Sequence, residues 1–577
     1  MDPTAAQPPA VDGPYPAWLA AAAVVLQRGG TRPVDPVDVP ALLGSTTVEG
    51  LAVPPLGAPG GPTPLGPATA RTTAGWDIRS LVAATDAHAA GVAAITDLQH
   101  GATSLWWAVG GAGTAPGDLA PALDGVWLDA APVVLLAGGD TTDLTAARAL
   151  AAVLIRSGVT PAPGTGLGAD PVGRALLDGR SDPGADVGAL IELAGALGVG
   201  AFVADGSVAH RRGAGDAATL GYTLAAGTSY LRELVDAGVP TAQAFSMLQV
   251  RLAVSDEQFV GTATLRAARR LWARIGEIVG VDPWAAGLTL HAVTSWPMMT
   301  AIDPWVNLVR TTVAAFAAAV GGAHAVTVLP FDLPLGAPDQ LGRRMAVAQS
   351  LVLMREAQVG QVQDPTAGAV ALEQLTDTLA VAGWAEFQRL EEAGGVVDAL
   401  QNGVLDGGFA AARSERSRRL ATRSRPITGV SEFPTTDPTP ARSPGGGVFD
   451  RAERWSVPFE DLRAAPPATV AVLDLGGSPA RRSWIENLLQ VGGLETRLPT
   501  GDDPVAVLVG SDEHCAEHAG RRIGELRAAG TGWIALAGRP TPGLGALLDD
   551  HVAPGADVLA FLHRTRDALH ADAGTPR

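Results

Sequence analysis

The chain has 577 residues, 47% of them hydrophobic, a formal charge of −18 at pH 7 and a single cysteine. That length exceeds one ordinary core and predicts at least two domains; the acidity argues against nucleic acid as a partner, because neutralising phosphate takes a dense basic surface. One cysteine excludes internal disulfides and cysteine-ligated clusters, and with no lysine present all 41 cations are arginine, which removes Schiff-base chemistry and a P-loop lysine together.

In chain order, residues 1–66 are rich in Pro, Gly and Ala around one apolar run, 18–26, and read as an extended arm with little core of its own. The run is far shorter than the roughly 20 residues of a membrane helix and follows no basic patch, so neither a span nor a signal peptide is expected and the cytoplasm is the expected location. Between 67 and 423 short apolar runs alternate with longer helical patterns. Strands are predicted at 92–95, 133–136, 201–204, 288–293 and 325–329; apolar residues recurring at three and four predict helices at 144–155, 217–235, 242–254, 258–278 and 305–320. Such alternation over this length predicts an α/β fold, a parallel sheet closed as a (β/α)8 TIM barrel. Residues 424–466, with Pro434, Pro438, Pro440 and Pro444 ahead of three glycines, predict a linker; the arginine-rich run 413–425 beside it reads as a solvated loop or a subunit contact. From 467 to 577, buried-strand runs at 469–475, 505–509 and 533–537 alternate with helices, predicting a flavodoxin-like doubly wound domain.

Few residues fall in chemical patterns. The loop Leu475, Gly476, Gly477, Ser478 joins a strand to a helix, where a phosphate could rest, but the G-x-G-x-x-G spacing is missing and a tight turn is the simpler reading. His514 and His518 flank Cys515 on one helical face; zinc wants three or four ligands, and an exposed helix start is the simpler reading. In the barrel, His210 and His291 lie near strand ends, where such barrels place their active sites. An independent barrel enzyme would draw on His210 with Asp205 and Asp216, and a protein that merely holds acyl-CoA would use Arg211 and Arg212.

Longer motifs point to a family. GAGDAATLGYTLAAG at 213–227, continuing to Tyr230 and Arg232, resembles the G-A-T-A-x-x-E-L-A-x-T-L-A-D-G-x-x-Y-x-R segment of adenosylcobalamin-dependent acyl-CoA mutases. LRAARRLW at 265–272 is similar to their R-A-A-R-R-L-W helix, DPWVNLVRTT at 303–312 to D-P-x-x-N-x-x-R-T-T, and GWDIR at 75–79 to the P-W-T-I-R entry to the barrel. The likeness runs over nearly the whole chain after the arm, and it is to the methylmalonyl-CoA mutases, their small subunit above all. It implies a barrel that encloses acyl-CoA and a flavodoxin-like domain that caps it with cobalamin. Homolysis of the cobalt–carbon bond then starts a rearrangement between methylmalonyl-CoA and succinyl-CoA.

Position by position, the same resemblance implies that the chemistry is gone. Where catalytic chains carry Gly-Tyr-His, this chain has Gly206, Ser207 and Val208, and Leu81 stands for the radical-steering tyrosine. His210 lies two residues past Val208, where a strand's period of two would point it the same way. The Q-N-D segment becomes Gly168, Ala169, Asp170, Pro171, and the polar L-H-T-N-S-F-D lining becomes V-T-V-L-P-F-D at 326–332. D-x-H-x-x-G, whose histidine is the lower cobalt ligand and whose aspartate orients it, corresponds to a degenerate segment with Asp474, Gly476, Gly477 and Ser478; no histidine occurs between His324 and His514. The implication is a small subunit without catalytic, cofactor-binding or metal-ligating residues. It would be paired in a heterodimer with a homologous large subunit that holds adenosylcobalamin and the acyl-CoA substrate, the arm 1–66 being the subunit contact. An acyl-CoA-binding or regulatory barrel protein is the alternative.

Overall fold

In the computed structural model of the protein, residues 14–29, 33–58, 75–179, 182–282, 287–435 and 447–573 are described. Parts of the expected arm, and Pro438, Pro440 and Pro444 of the expected linker, lie outside these residues. The described part of the arm holds a helix, Pro14–Gly29, and a two-stranded ribbon of β1 (Ser45–Thr46) and β2 (Ala52–Val53). The turn of the ribbon carries Glu49, whose carboxylate accepts the amide N–H groups of Ala217 and Ala218 at 2.9 Å each. This caps the otherwise unsatisfied start of the helix Asp216–Asp236. Arg419 donates to the carbonyls of Thr46 and Thr47, so the ribbon is fastened to the barrel at both ends of its turn.

Eight parallel strands close the barrel: β3 (Asp77–Val82), β4 (Ser104–Val109), β5 (Val133–Ala137), β6 (Gly166–Ala169), β7 (Gly200–Asp205), β8 (Leu248–Val254), β9 (Thr289–Thr294) and β10 (Ala325–Thr327), which returns to pair with β3. Strands covered on both faces need no polar alternation, and β4 is buried at every residue. Helices return between strands with ordinary punctuation. Thr142 caps Asp143–Ser157, and Gly158 ends it in a left-handed conformation.

Two sequence readings are corrected here. Residues 92–95 are not a strand but the middle of the helix Ala87–Gln99; a four-residue apolar run fits both states. The span 242–254 is not one helix: it divides into the helix Thr241–Ser246 and β8. The strand β6, Gly-Leu-Gly-Ala, gives no apolar run because it needs glycine: Gly168 has φ +66°, and a Cβ there would stand 2.0 Å from the Leu135 carbonyl oxygen.

The C-terminal sheet has five parallel strands, not the three legible as apolar runs. They are β11 (Ala468–Asp474), β12 (Leu494–Arg497), β13 (Val505–Val509), β14 (Trp533–Ala537) and β15 (Asp550–Val552), in the order β12-β11-β13-β14-β15. This is a flavodoxin-like order. Period-two alternation builds its two cores: Val470, Val472, Val505, Val507 and Val509 face one set of helices, and Ala471, Leu473, Ala506 and Leu508 face the other.

The described parts of the stretch expected to be a linker, and of the arginine run beside it, are packed. The arginine run lies largely on the helix Val404–Ala421, where Arg416 is buried and donates to the carbonyls of Gly213 and Ala214. Phe459 and Leu462 on the helix Val457–Ala464 belong to the core of the C-terminal sheet. Among the described residues no helix is long and apolar enough to cross a membrane.

Candidate functional site

The barrel interior is assembled from inward-facing residues of alternate register. Arg79 on β3 reaches across to Ser104 on β4 at 3.0 Å and to Gln249 on β8 at 3.1 Å. Leu81, two residues on, therefore also points inward, and it stands beside Trp106 in register. The Arg251 guanidinium lies 4.3 Å above the Trp106 ring, and His291 meets that ring edge-on at 5.5 Å. One hydrogen-bonded chain crosses the interior. Arg251 Nη1 donates to Asp205 at 2.6 Å, Arg251 Nε donates to His291 Nδ1 at 3.0 Å, and His291 Nε2 is 2.8 Å from Thr327 Oγ1. Since Nδ1 accepts from a guanidinium, the proton of the neutral imidazole is on Nε2, which donates to Thr327. Burial, then Arg79 and Arg251, hold the His291 pKa well below its ordinary value.

The histidine at the strand end is placed differently from the period-two expectation. Residues 206–211 form a helix, not a strand, capped by Asp205 through the Ser207 amide. Val208 turns into the barrel core, whereas His210 turns to Ser295, with Nε2 2.8 Å from its Oγ. Asp205 is taken up by Arg251, and Asp216 lies at the start of the next helix, so the set His210, Asp205 and Asp216 is not brought together. Arg211 makes a bidentate pair with Glu453 at 2.7 and 2.8 Å, and Arg212 stands 3.5 Å from Asp406. Asp170 caps the helix Pro171–Asp178 and accepts the Tyr230 hydroxyl at 2.6 Å; burial, then Asp205, raises its pKa well above the usual carboxylate range.

Several side chains here had no motif to announce them. Phe449 belongs to the barrel core, against Trp106 and Trp296, and Trp455 covers the His210 ring at 5.9 Å. The available signals were an arginine in the middle of the apolar run Leu248–Val254 and aromatic residues inside a Pro/Gly-rich stretch.

At the C-terminal edge of the second sheet, β11 and β13 form the switch point where doubly wound folds bind ligands. Asp474 accepts the Gly476 N–H at 2.7 Å and Arg482 at 3.2 Å. Gly476 and Gly477 both have positive φ, and Ser478 opens the helix Pro479–Val491 without a side-chain cap. His514 lies over this turn, its Nδ1 2.7 Å from Ser511 Oγ, so closely that a Cβ on Gly477 would be 2.7 Å from it. Arg481 crosses from the first helix to the Gly510 carbonyl at 2.7 Å and Asp512 at 2.8 Å. His514 and His518 do share a face, 6.0 Å apart, while Cys515 is buried; among the described residues no group of three metal-ligating side chains forms.

The retained family motifs make buried hydrogen bonds and ion pairs. Asn307 donates to the carbonyls of Thr300 and Phe331, Arg310 donates to the Thr428 carbonyl, and Arg266 is buried between Asp364 and Glu373. A closed (β/α)8 barrel joined to a flavodoxin-like domain, with these clasps, defines the acyl-CoA mutase class of α/β proteins. The family model described as methylmalonyl-CoA mutase matches residues 201–444. The chain is 41% identical to the methylmalonyl-CoA mutase small subunit of Streptomyces virginiae, over 86% of this chain and 85% of that one. It is 33% identical to the small subunit from Propionibacterium freudenreichii subsp. shermanii, over 91% and 89%. Likeness to the large subunit of Porphyromonas gingivalis is 30% over 40% of this chain. The chain belongs to the methylmalonyl-CoA mutase family, alongside these small subunits.

That family depends on cobalamin, whose chemistry is that of the cofactor while the protein supplies seat and enclosure. In this chain the first loop has two glycines after Asp474, whose carboxylate accepts from Gly476 and Arg482, and His514 and Arg481 lie over the turn.

Proposed function

We propose that this chain is the non-catalytic small subunit of a heterodimeric adenosylcobalamin-dependent methylmalonyl-CoA mutase, with cofactor and substrate both on a homologous large subunit. The observation that carries the reading is the division of labour among family positions. Those that clasp loops keep their residues and contacts, as Asn307 and Arg310 do, whereas Leu81 and Val208 have become packing, the Ser207 hydroxyl is bonded to Asp205, and the turn at Gly476 and Gly477 offers only backbone. Loss confined to chemistry is what a subunit retained for its shape would show. The arm supports the same reading, since Val24, Val25, Leu42 and Leu43 are apolar and exposed and present a surface suited to a partner.

The experiment is a cobalamin titration followed by reconstitution. Alone, the purified chain is expected to leave the visible spectrum of adenosylcobalamin unchanged and to turn over no methylmalonyl-CoA. Mixed with its large subunit it is expected to elute as a one-to-one complex with activity. A stoichiometric spectral shift with this chain alone would refute the assignment.

A further inference from the structure

Three long helices of the barrel wall end at one cleft. Asp216–Asp236, Gln258–Ile278 and the helix Val370–Glu392, which packs against both, give their last residues, Asp236, Ile278 and Glu392, to the lining of a cavity of about 660 Å³. We propose that this cleft on the outside of the barrel binds an apolar organic cation of low molecular weight, an aromatic or branched-alkyl ammonium. The proposal stands apart from the non-catalytic reading and does not depend on it.

The walls are apolar. Leu231, Phe245, Ile275 and Phe387 are buried, and Trp384 meets Phe387 with ring centroids 5.2 Å apart. The volume falls within the roughly 300–1,000 Å³ of pockets that take small molecules, whereas a stable protein interface buries about 1,200 Å² or more, a different scale from a cleft between helix ends. The sign of the ligand follows from the rim. Each helix brings its carbonyl end, worth about half a negative charge, where cations are ordinarily placed. Here neither Asp216–Asp236 nor Gln258–Ile278 has a basic residue in its last turn. Asp236, Glu391 and Glu392 instead put carboxylates where the macrodipoles disfavour them, and the lining guanidinium, Arg232, is paired with Glu391. A local rule broken at neighbouring helix ends that share one cavity marks a site rather than a stability device. Thr228 Oγ1, buried in the same lining, has no hydrogen-bond partner among the described residues and can accept an ammonium N–H, while the aromatic faces attract a cation directly. Nucleic acid and anionic lipid meet the wrong sign, and a second copy brings the same rim and a net charge of −18.

The test titrates the full chain by calorimetry with three probes of one shape, 2-phenylethylammonium, 2-phenylethanol and 3-phenylpropionate, at low and high salt. Wild type is expected to bind one equivalent of the ammonium, more tightly than the alcohol and at least about tenfold more tightly than the carboxylate, the margin narrowing in salt. Asp236→Asn combined with Glu392→Gln, both at exposed positions, is expected to weaken ammonium binding about tenfold without lowering the melting temperature, because the charges removed oppose the helix dipoles. Ile278→Trp, at a residue already 56% exposed, is expected to fill the cleft and abolish binding of all three probes, which tests the same site if the double variant folds poorly. Absent or unsaturable ammonium binding, equal affinity for ammonium and carboxylate, or undiminished binding by either variant overturns the cation site. A concentration-dependent dimer that Ile278→Trp abolishes assigns the cleft to a second copy, and displacement of the ammonium by the large subunit assigns it to that partner; either overturns it too. None of these outcomes touches the non-catalytic reading, which is decided by cobalamin binding and turnover.

Discussion

His210, two residues past the position that Val208 fills, is held as a buried structural histidine. Its ring is packed by Trp455 and bonded to Ser295, and burial, aided by Arg416 and Arg425, pushes its pKa down to about 3 from 6.5. A histidine neutral in the fold yet free to protonate when unfolded makes the unfolded chain bind more protons between those values. Stability from this group is therefore complete above pH 6.5 and lost as pH falls toward 3. Asp143, raised to about 6 mainly by burial, works in the opposite direction between 3.8 and 6. His210→Gln, which keeps a polar partner for Ser295, is expected to flatten the acid side of the stability profile. Urea midpoints at pH 7 and pH 5 measure this, and an equal fall in both proteins would mean that the imidazole already titrates in the fold. Asp205→Asn tests the interior differently: it strips the buried Arg251 of its counter-charge and is expected to cost about 3–5 kcal/mol by the same urea method. The sequence supplied the substitutions at Leu81 and Val208, but Ser295 lies 85 residues from His210, and no spacing rule reports a partner at that distance.

At the level of elements, legibility followed the strength of local pattern. The helix Gln258–Ile278 could be read to the residue because its apolar positions recur at three and four over six turns. The strand β8 was absorbed into a preceding helix because Thr241–Ser246 and Leu248–Val254 are separated by one residue. The edge strands β12 and β15 carry Glu495, Arg497, Asp550 and His551, and polar edges look like loops in a sequence. The arm is read from composition as having little core of its own, yet its attachment depends on the carboxylate of Glu49 lying on the amide groups of a helix more than 160 residues away, which composition does not encode. Glu49→Ala should remove that cap at a cost of about 1–2 kcal/mol. The consequence is local: hydrogen exchange should accelerate at β1 and β2 and at the first turn of Asp216–Asp236 while the strands of the barrel keep their protection. Uniform acceleration would mean that the ribbon is an integral part of the barrel core and not an attached arm.

Across the whole molecule, the two α/β bodies are joined by a network built around a buried ion pair. Arg454 and Glu460, with side chains 1% and 6% exposed, lie where residues 447–456 lead into the C-terminal domain. Glu460 also accepts the Ala301 N–H at 3.0 Å, and Ser456 donates to it at 2.6 Å. Ala301 and its neighbour Ile302 follow β9, and Ile302 already belongs to the core cluster of the flavodoxin-like sheet. A single carboxylate thus closes the loop after β9, residues 454–456 and the first helix of the small domain into one network. Removing it leaves Arg454 buried and unpaired, which is the costly half of breaking such a pair, about 3–5 kcal/mol, and the loss falls on the junction and on neither core. Glu460→Ala should therefore unfold in two calorimetric steps where the wild type shows stronger coupling, with the barrel transition little moved. The junction also holds residues 450–455 against the loop after β9, so the same variant should expose Trp296 and Trp455 and shift their fluorescence toward that of solvated indole before either step. Coincident single transitions, with emission unchanged, would place the coupling in the apolar contacts of Ile302, Ile427 and Val430 instead.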